Sequence, residues 1–310
     1  VGIRVDIAML EVQQIIIDNM INIGGIKIKI IAPISLYPSI ERFVSFSEKD
    51  GDADITWKFV MIEPNFYKLP FLDLRSDPNY KKATIIGEYS PLICSRTVRG
   101  YLFLASDYAD MLTIELTQDS ITIYDFKVNC VTTFLSENFI ERNSHNVIGS
   151  LMFSLFLPNF SSMLLHSSGF VYKDRSALFL APDEGGKTTA VRLLPSDTII
   201  LSDDQVLIKK TENGFVATGS PWGLHSSRIE APINRCFILK KSNEFHLIPS
   251  TPLDLNLYLM LEHQDQLILL PQSLKESMVK FINSFSNFVS VWELYFPKEF
   301  IDWNAVSRLV

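Results

Sequence analysis

Apolar positions along the 310-residue chain change their spacing several times, and each change predicts an element. Residues 8–21 (AMLEVQQIIIDNMI) carry apolar side chains at helical spacing, and Gly24-Gly25 ends the run, which predicts an N-terminal helix. IKIKIIA then alternates with period two, as a half-buried strand does. A short helix is expected around Pro38–Phe46, followed by a polar turn, SEKDGDAD, and a strand, ITWKFVMI. Pro64, Pro70 and Pro78 punctuate a loop-rich stretch. Beyond it ATIIGEY, YLFLAS, MLTIEL and SITIYDF read as antiparallel strands, with TQDS as the hairpin turn between the last two.

The pattern changes near Asn138. Residues 146–165 (NVIGSLMFSLFLPNFSSMLL) predict a mostly buried helix and a short connection. From His166 the order becomes strand (GFVYKD), strand (ALFLA), a loop with GGKTT, helix (TTAVRLL) and strand (TIILSDD). Strand–loop–helix–strand is the order of a nucleotide-binding α/β unit. Further strands are expected at QVLIKK, FVATGS and CFILKK. The tail alternates the helices LDLNLYLML and LKESMVKFINSF with the strand VSVWELYF. The expected class is α/β (α+β), with a strand-rich domain over 1–140 that carries no recognisable chemistry and a nucleotide-binding domain over 141–310.

Composition narrows the function classes. The chain is 47% hydrophobic and 20% charged, so most of it can bury a core rather than remain disordered. With 28 basic against 35 acidic residues, the net charge of -7 and the lack of a basic stripe argue against general nucleic-acid binding. Three cysteines (Cys94, Cys130, Cys236) stand too far apart for a zinc spacing or a disulfide framework, so a reducing cytoplasm is expected. The apolar stretch Ile15–Ile34 is interrupted by Asp18, Asn19, Asn22, Lys27 and Lys29, which argues against a membrane span. The first 25 residues lack the order of a signal peptide.

Ala181-Pro182-Asp183-Glu184-Gly185-Gly186-Lys187-Thr188 fits G-x-x-x-x-G-K-[ST] except at its first position. In such a loop backbone N–H groups enclose phosphates, the Lys neutralises the β/γ oxygens and the Thr hydroxyl ligates Mg²⁺. The phosphate-binding candidates are therefore Gly185, Gly186, Lys187, Thr188 and Thr189. A bare GGKTT also suits an ordinary helix N-terminus with a solvated Lys; the preceding ALFL and following TAVRLL favour phosphate. Asp203-Asp204 ends the strand TIILSDD, where one carboxylate can hold Mg²⁺ and its neighbour can take a proton from an attacking hydroxyl. His166, just before the strand pair that feeds the loop, can hydrogen-bond one of these carboxylates.

HSSGFVYKDRSALFLAPDEGGKTTAVRLL…LSDD resembles the core of the HPr kinase/phosphorylase family, and more closely the HPr-kinase-like proteins of peptide-modification gene clusters. His166 precedes Ala181 by fifteen residues, and Ala181 precedes Asp204 by twenty-three, as in the family pattern. GSPWG (Gly219–Gly223) and the ending VSVWELYFPKEFIDWNAV are similar to segments of these relatives, so the resemblance covers residues 146–310. It implies a phosphate-loop kinase core of the phosphoenolpyruvate carboxykinase type and transfer of the ATP γ-phosphate to a Ser hydroxyl. Lys187 would contact phosphates, Thr188 and Asp204 would bind Mg²⁺, Asp203 would be the general base, and His166 would partner the Asp pair. The Gly-rich segment that completes the HPr kinase signature has no clear counterpart, which sets phosphorylase activity and HPr itself apart from what the resemblance implies.

The expected activity is thus a cytoplasmic, ATP- and Mg²⁺-dependent serine kinase acting on a peptide or small protein, with neither nucleic acid nor membrane as partner. Ala181 in place of the first Gly, with Asp183 and Glu184 inside the loop, motivates an alternative: a catalytically weak or inactive nucleotide-binding or peptide-recognition module. A carboxykinase acting on a small acid ranks last, since no clustered Arg pair is evident. Arg228 is the nearest candidate cation for the transferring group, and Trp222 reads as a core residue ahead of a ligand-stacking one.

Overall fold

The computed structural model describes residues 16–37, 41–49, 51–61, 84–89, 100–104, 111–117, 120–137 and 153–310. The chain is mixed α/β and strand-rich, and divides into two compact units: Val1–Ile21 with Lys27–Ile148, and Asn22–Ile26 with Gly149–Val310. Among the described residues no helix is long and apolar enough to cross a membrane. The described cysteines, Cys130 and Cys236, are free thiols.

The first unit is built on β1 (Ile16–Ile23), β2 (Ile26–Pro33), β3 (Ile55–Met61), β4 (Thr84–Tyr89), β5 (Gly100–Leu104), β6 (Met111–Thr117), β7 (Ser120–Asp125) and β8 (Cys130–Leu135). Their order across the sheet is β1-β2-β3-β8-β7-β6-β5-β4. β3 runs parallel to both β2 and β8, while β4 to β8 form an antiparallel meander. The period-two pattern is realised: Ile26, Ile28 and Ile30 are buried on β2, and Ile55, Trp57 and Phe59 on β3. Buried polar atoms pair with each other, Trp57 Nε1 donating to Thr133 Oγ1 at 3.2 Å.

One expectation for this unit is corrected. Ile16–Ile23 is a strand and not the end of a helix. Gly24 and Gly25, at φ 59° and 80°, form the two-residue turn that folds β1 onto β2, and the β-branched isoleucines suit a pleated surface. The rest of that expected helix, 8–15, lies outside the described residues, as does the Pro64–Pro78 stretch. The short helix expected around Pro38–Phe46 is found, among the described residues, as a 3-10 helix at Glu41–Phe46. β8 (CVTTFL) is an element the pattern did not signal.

The second unit contains β9 (Ser162–Leu165), β10 (Ser167–Tyr172), β11 (Arg175–Leu180), β12 (Ile199–Ser202), β13 (Val206–Thr211), β14 (Gly214–Gly219), β15 (Glu230–Lys241), β16 (His246–Pro249) and β17 (Ser290–Phe296). Its helices are α1 (Lys187–Arg192), α2 (Pro252–Glu262), α3 (Gln264–Leu269), α4 (Gln272–Phe288) and α5 (Trp303–Ser307). The sheet order is β12-β10-β11-β15-β14-β13-β9, with β17 beside β15 and β16 beside β17. The 12-residue β15 joins the two halves. Its first residues pair with β14, and the remainder runs parallel to β11 and β17.

Phe170, Phe179 and Phe237 form an aromatic layer on adjacent strands, and α1 and α5 pack on it through Ala190 and Val306. Around β14, Phe215 meets Phe281 and Phe285 of α4 with ring centroids 5.4 and 5.2 Å apart. The apolar positions of α4 recur at helical spacing, and Leu274, Met278, Phe281, Ile282 and Phe285 are buried.

One further correction concerns this unit. Of the helix and short connection expected over 146–165, the described residues 153–154 are helical, but the chain then makes a 3-10 turn at Leu157–Phe160 and enters strand β9. Pro158 and the left-handed Ser161 (φ 48°) are incompatible with a continuing helix. Residues 146–152 lie outside the described residues. The expected strand–loop–helix–strand order is found as β11, loop, α1 and β12, with β12 antiparallel to β10 and β15 the parallel neighbour of β11.

Candidate functional site

His166 occupies the single-residue gap between β9 and β10, and three strand registers converge on it. Ser167 lies opposite Leu180, so His166 stands beside Ala181, where the loop leaves β11. Leu165 lies opposite Val206, at the start of β13. Gly169 lies opposite Ser202, at the end of β12. The link Asp203–Gln205 therefore passes His166 as the chain crosses from one half of the sheet to the other. The β10–β11 hairpin that sets this alignment turns through Lys173 and Asp174, both left-handed at φ 48° and 66°.

His166 Nε2 lies 3.1 Å from Asp204 Oδ1 and 3.4 Å from Asp183 Oδ1. Asp203 takes a different position. It is buried, its Oδ1 accepts the His225 N–H at 3.1 Å, and its carbonyl accepts the Ser168 hydroxyl at 2.8 Å. Ser202 Oγ accepts the N–H groups of Asp204 and Gln205 at 3.3 and 3.1 Å, which holds the turn that aims the two aspartates apart.

The candidate phosphate loop begins with a turn in which Gly185 N–H donates to the Pro182 carbonyl at 2.9 Å. Gly186, at φ 104°, caps α1, and Glu184 is left-handed at φ 58°. Lys187 opens the helix and its side chain folds back into the loop, Nζ donating to the Ala181 and Pro182 carbonyls at 2.7 and 3.3 Å. Burial lowers the Lys187 pKa, opposed by the charges of Asp183, Asp204 and Glu262. Thr189 lies in the first turn of α1, where its carbonyl accepts the Leu193 N–H at 3.3 Å. Thr188 and Asp203 line a cleft of about 610 Å³ with Arg192, Val191, Leu224 and His225.

Three contributors had not been singled out from the sequence. The backbone of His225 brackets Asp203 from the segment after β14. Glu262, at the end of α2, accepts the His166 backbone N–H through Oε1 at 2.6 Å. Burial raises the Glu262 carboxyl to about 7, against the lowering effects of the His166 hydrogen bond and of the charges of His166 and Lys187. Tyr258, one turn earlier on α2, has its pKa raised by burial and by the negative charges of Glu262 and Asp183. Only the GSPWG segment offered a sequence signal for His225; an isolated Glu closing an apolar helix offered none for Glu262. Trp222 packs against Phe153 with ring centroids 5.2 Å apart, and Arg228 is exposed ahead of β15.

The arrangement thus brings His166, Asp183, Asp204 and Lys187 to one end of the sheet, and sets Asp203 with Thr188 in the adjoining cleft. Among the described residues no three His, Cys, Asp or Glu side chains form a group able to hold a metal ion. No protein-family model matches the chain, and no curated protein matches it.

Proposed function

We propose that the second unit is a phosphotransferase of the HPr-kinase-like type that moves the γ-phosphate of ATP to a Ser hydroxyl of a peptide or small protein. The observation that carries this reading is the convergence of Lys187, His166 and Asp204 at one end of the sheet, with Asp203 in the adjoining cleft. Lys187, at the root of a left-handed Gly-capped turn, and Asp204, held by His166, are the complementary charges that a Mg²⁺-nucleotide requires. Mg²⁺ is usually held by one or two carboxylates and substrate phosphates, and Asp204 and Thr188 would be its protein ligands here. When bound, the ion neutralises phosphate charge.

The remaining roles belong to the chain. The loop N–H groups and Lys187 orient the phosphates, Lys187 exchanging carbonyl partners for phosphate oxygens. Asp203, fixed through Oδ1 by His225, receives the Ser proton on its other oxygen. The Ser oxygen bonds to the γ-phosphorus, the bond from that phosphorus to the β–γ bridging oxygen breaks, and ADP leaves with the electron pair.

Asp183 favours a second reading, nucleotide binding without transfer, because it places another carboxylate 3.4 Å from His166 on the loop itself. One experiment separates the two. With Mg²⁺, γ-labelled ATP and Ser-containing peptides, transfer is expected from the purified protein and from neither Lys187→Ala nor Asp203→Asn. Calorimetric nucleotide binding without labelled product supports the second reading, and neither binding nor product overturns both.

A further inference from the structure

The backbone of His166 has no strand to hold it. The ladder of β9 stops at Leu165 and that of β10 starts at Ser167, so the N–H between them needs a partner from elsewhere. Glu262 provides it, from 96 residues away, at 2.6 Å. Its position is set locally and firmly. Thr251 Oγ1 accepts the Asp254 N–H while Asp254 accepts the Thr251 N–H, a capping box with Pro252 in the first turn. From that start α2 runs to Glu262, with Leu255 and Leu259 buried against the core. The second carboxylate oxygen, Oε2, is shut off from solvent and has no hydrogen-bond partner. An unpaired buried oxygen costs stability. The carboxylate is therefore a poor choice for packing alone.

We propose that Glu262 is a positioning residue of the phosphate site: by holding the His166 backbone it sets the imidazole where it reaches Asp204 and Asp183. The hydrogen bond is what matters, so a neutral acceptor of the same shape does the same work. The catalytic consequence rests on the phosphotransferase reading, whereas the anchoring of His166 does not.

The test compares the full-length protein with Glu262→Ala and Glu262→Gln by two readouts. The first needs no activity: amide hydrogen exchange at His166 and the NMR shifts of its labelled imidazole. Exchange is expected to speed up on the order of tenfold in Glu262→Ala, as for loss of a charge-assisted hydrogen bond, and to be restored in Glu262→Gln. The second is the split between kcat and KM for ATP with a Ser peptide. A loss on the order of 10²-fold in kcat with little change in KM is expected for Ala, as for misplacement of a group by about an ångström, with rescue by Gln. Unchanged exchange and imidazole shifts in Glu262→Ala, or failure of Gln to restore them, overturn the proposal. If the unaltered protein shows no transfer, the phosphotransferase reading falls while the exchange and imidazole data still decide the role of Glu262.

Discussion

The Lys187 ammonium lies 2.7 Å from the carbonyl oxygen of Ala181, so the cation of the loop is held by the loop's own backbone. It is 7% exposed, and three carboxylates act on it without a hydrogen-bonded ion pair to any of them. The loop therefore keeps a desolvated positive charge within its own turn, and in the proposed phosphotransferase a phosphate oxygen would replace a carbonyl there.

Lys187→Ala is expected to weaken ATP binding by about 10- to 100-fold in calorimetry, the equivalent of one charged hydrogen bond at about 1.5–3 kcal/mol. Lys187→Arg should not restore it, since a planar guanidinium does not fit between the two carbonyls that seat the ammonium. Full affinity in the Arg variant would contradict this account of the loop.

Glu184 combines a left-handed backbone with a negative charge inside the candidate phosphate loop. Asn tolerates that conformation better and carries no charge, so Glu184→Asn is expected to raise both thermal stability and ATP affinity, the latter by about threefold at low salt. The affinity gain should shrink as salt is added. A gain independent of salt would point to backbone strain alone.

Gly223 packs against the aspartate turn. A Cβ there would lie 2.6 Å from both Asp203 Oδ1 and Ser202 Oγ, and 3.0 Å from the His225 carbonyl. Gly223→Ala is thus expected to cost about 1–3 kcal/mol, read as a lower urea midpoint, and to displace the Asp203 carboxylate. Transfer should fall more than ATP binding. An unaltered midpoint would show that the turn relaxes freely.

The Glu262 carboxyl titrates near 7 in the folded protein against an ordinary 4.5, because burial penalises its charge. The native state therefore binds the proton more tightly than the unfolded chain, and this contribution is complete at low pH and is lost as pH rises through about 4.5 to 7. Glu262→Gln removes that loss. Urea midpoints of the variant and the unaltered protein should diverge in favour of Gln between pH 5 and pH 8, and parallel curves would contradict the shift.

The sequence by itself determined the elements whose cause is local. Alternating apolar residues specify β2 and β3 because the pleat repeats every two residues, and the APDEGGKT run specifies a turn into a helix whose first residue is Lys187. The residues that carry charge and oxygen chemistry (His166, Asp203, Asp204, Lys187) were legible for the same reason: their side-chain types and spacing are written in one dimension. Local pattern misled where two structures share it, as in the run before Gly24, where the two-residue turn and the partner strand outweigh helical spacing. The tertiary structure alone decided that β12 returns beside β10, that Asp204 meets His166 while Asp203 turns to His225, and that Glu262 closes the site across 96 residues. These depend on strand register and on the placement of α2. Both are settled by burial of the phenylalanine layer and the helix core over long separations, which no short window of sequence contains.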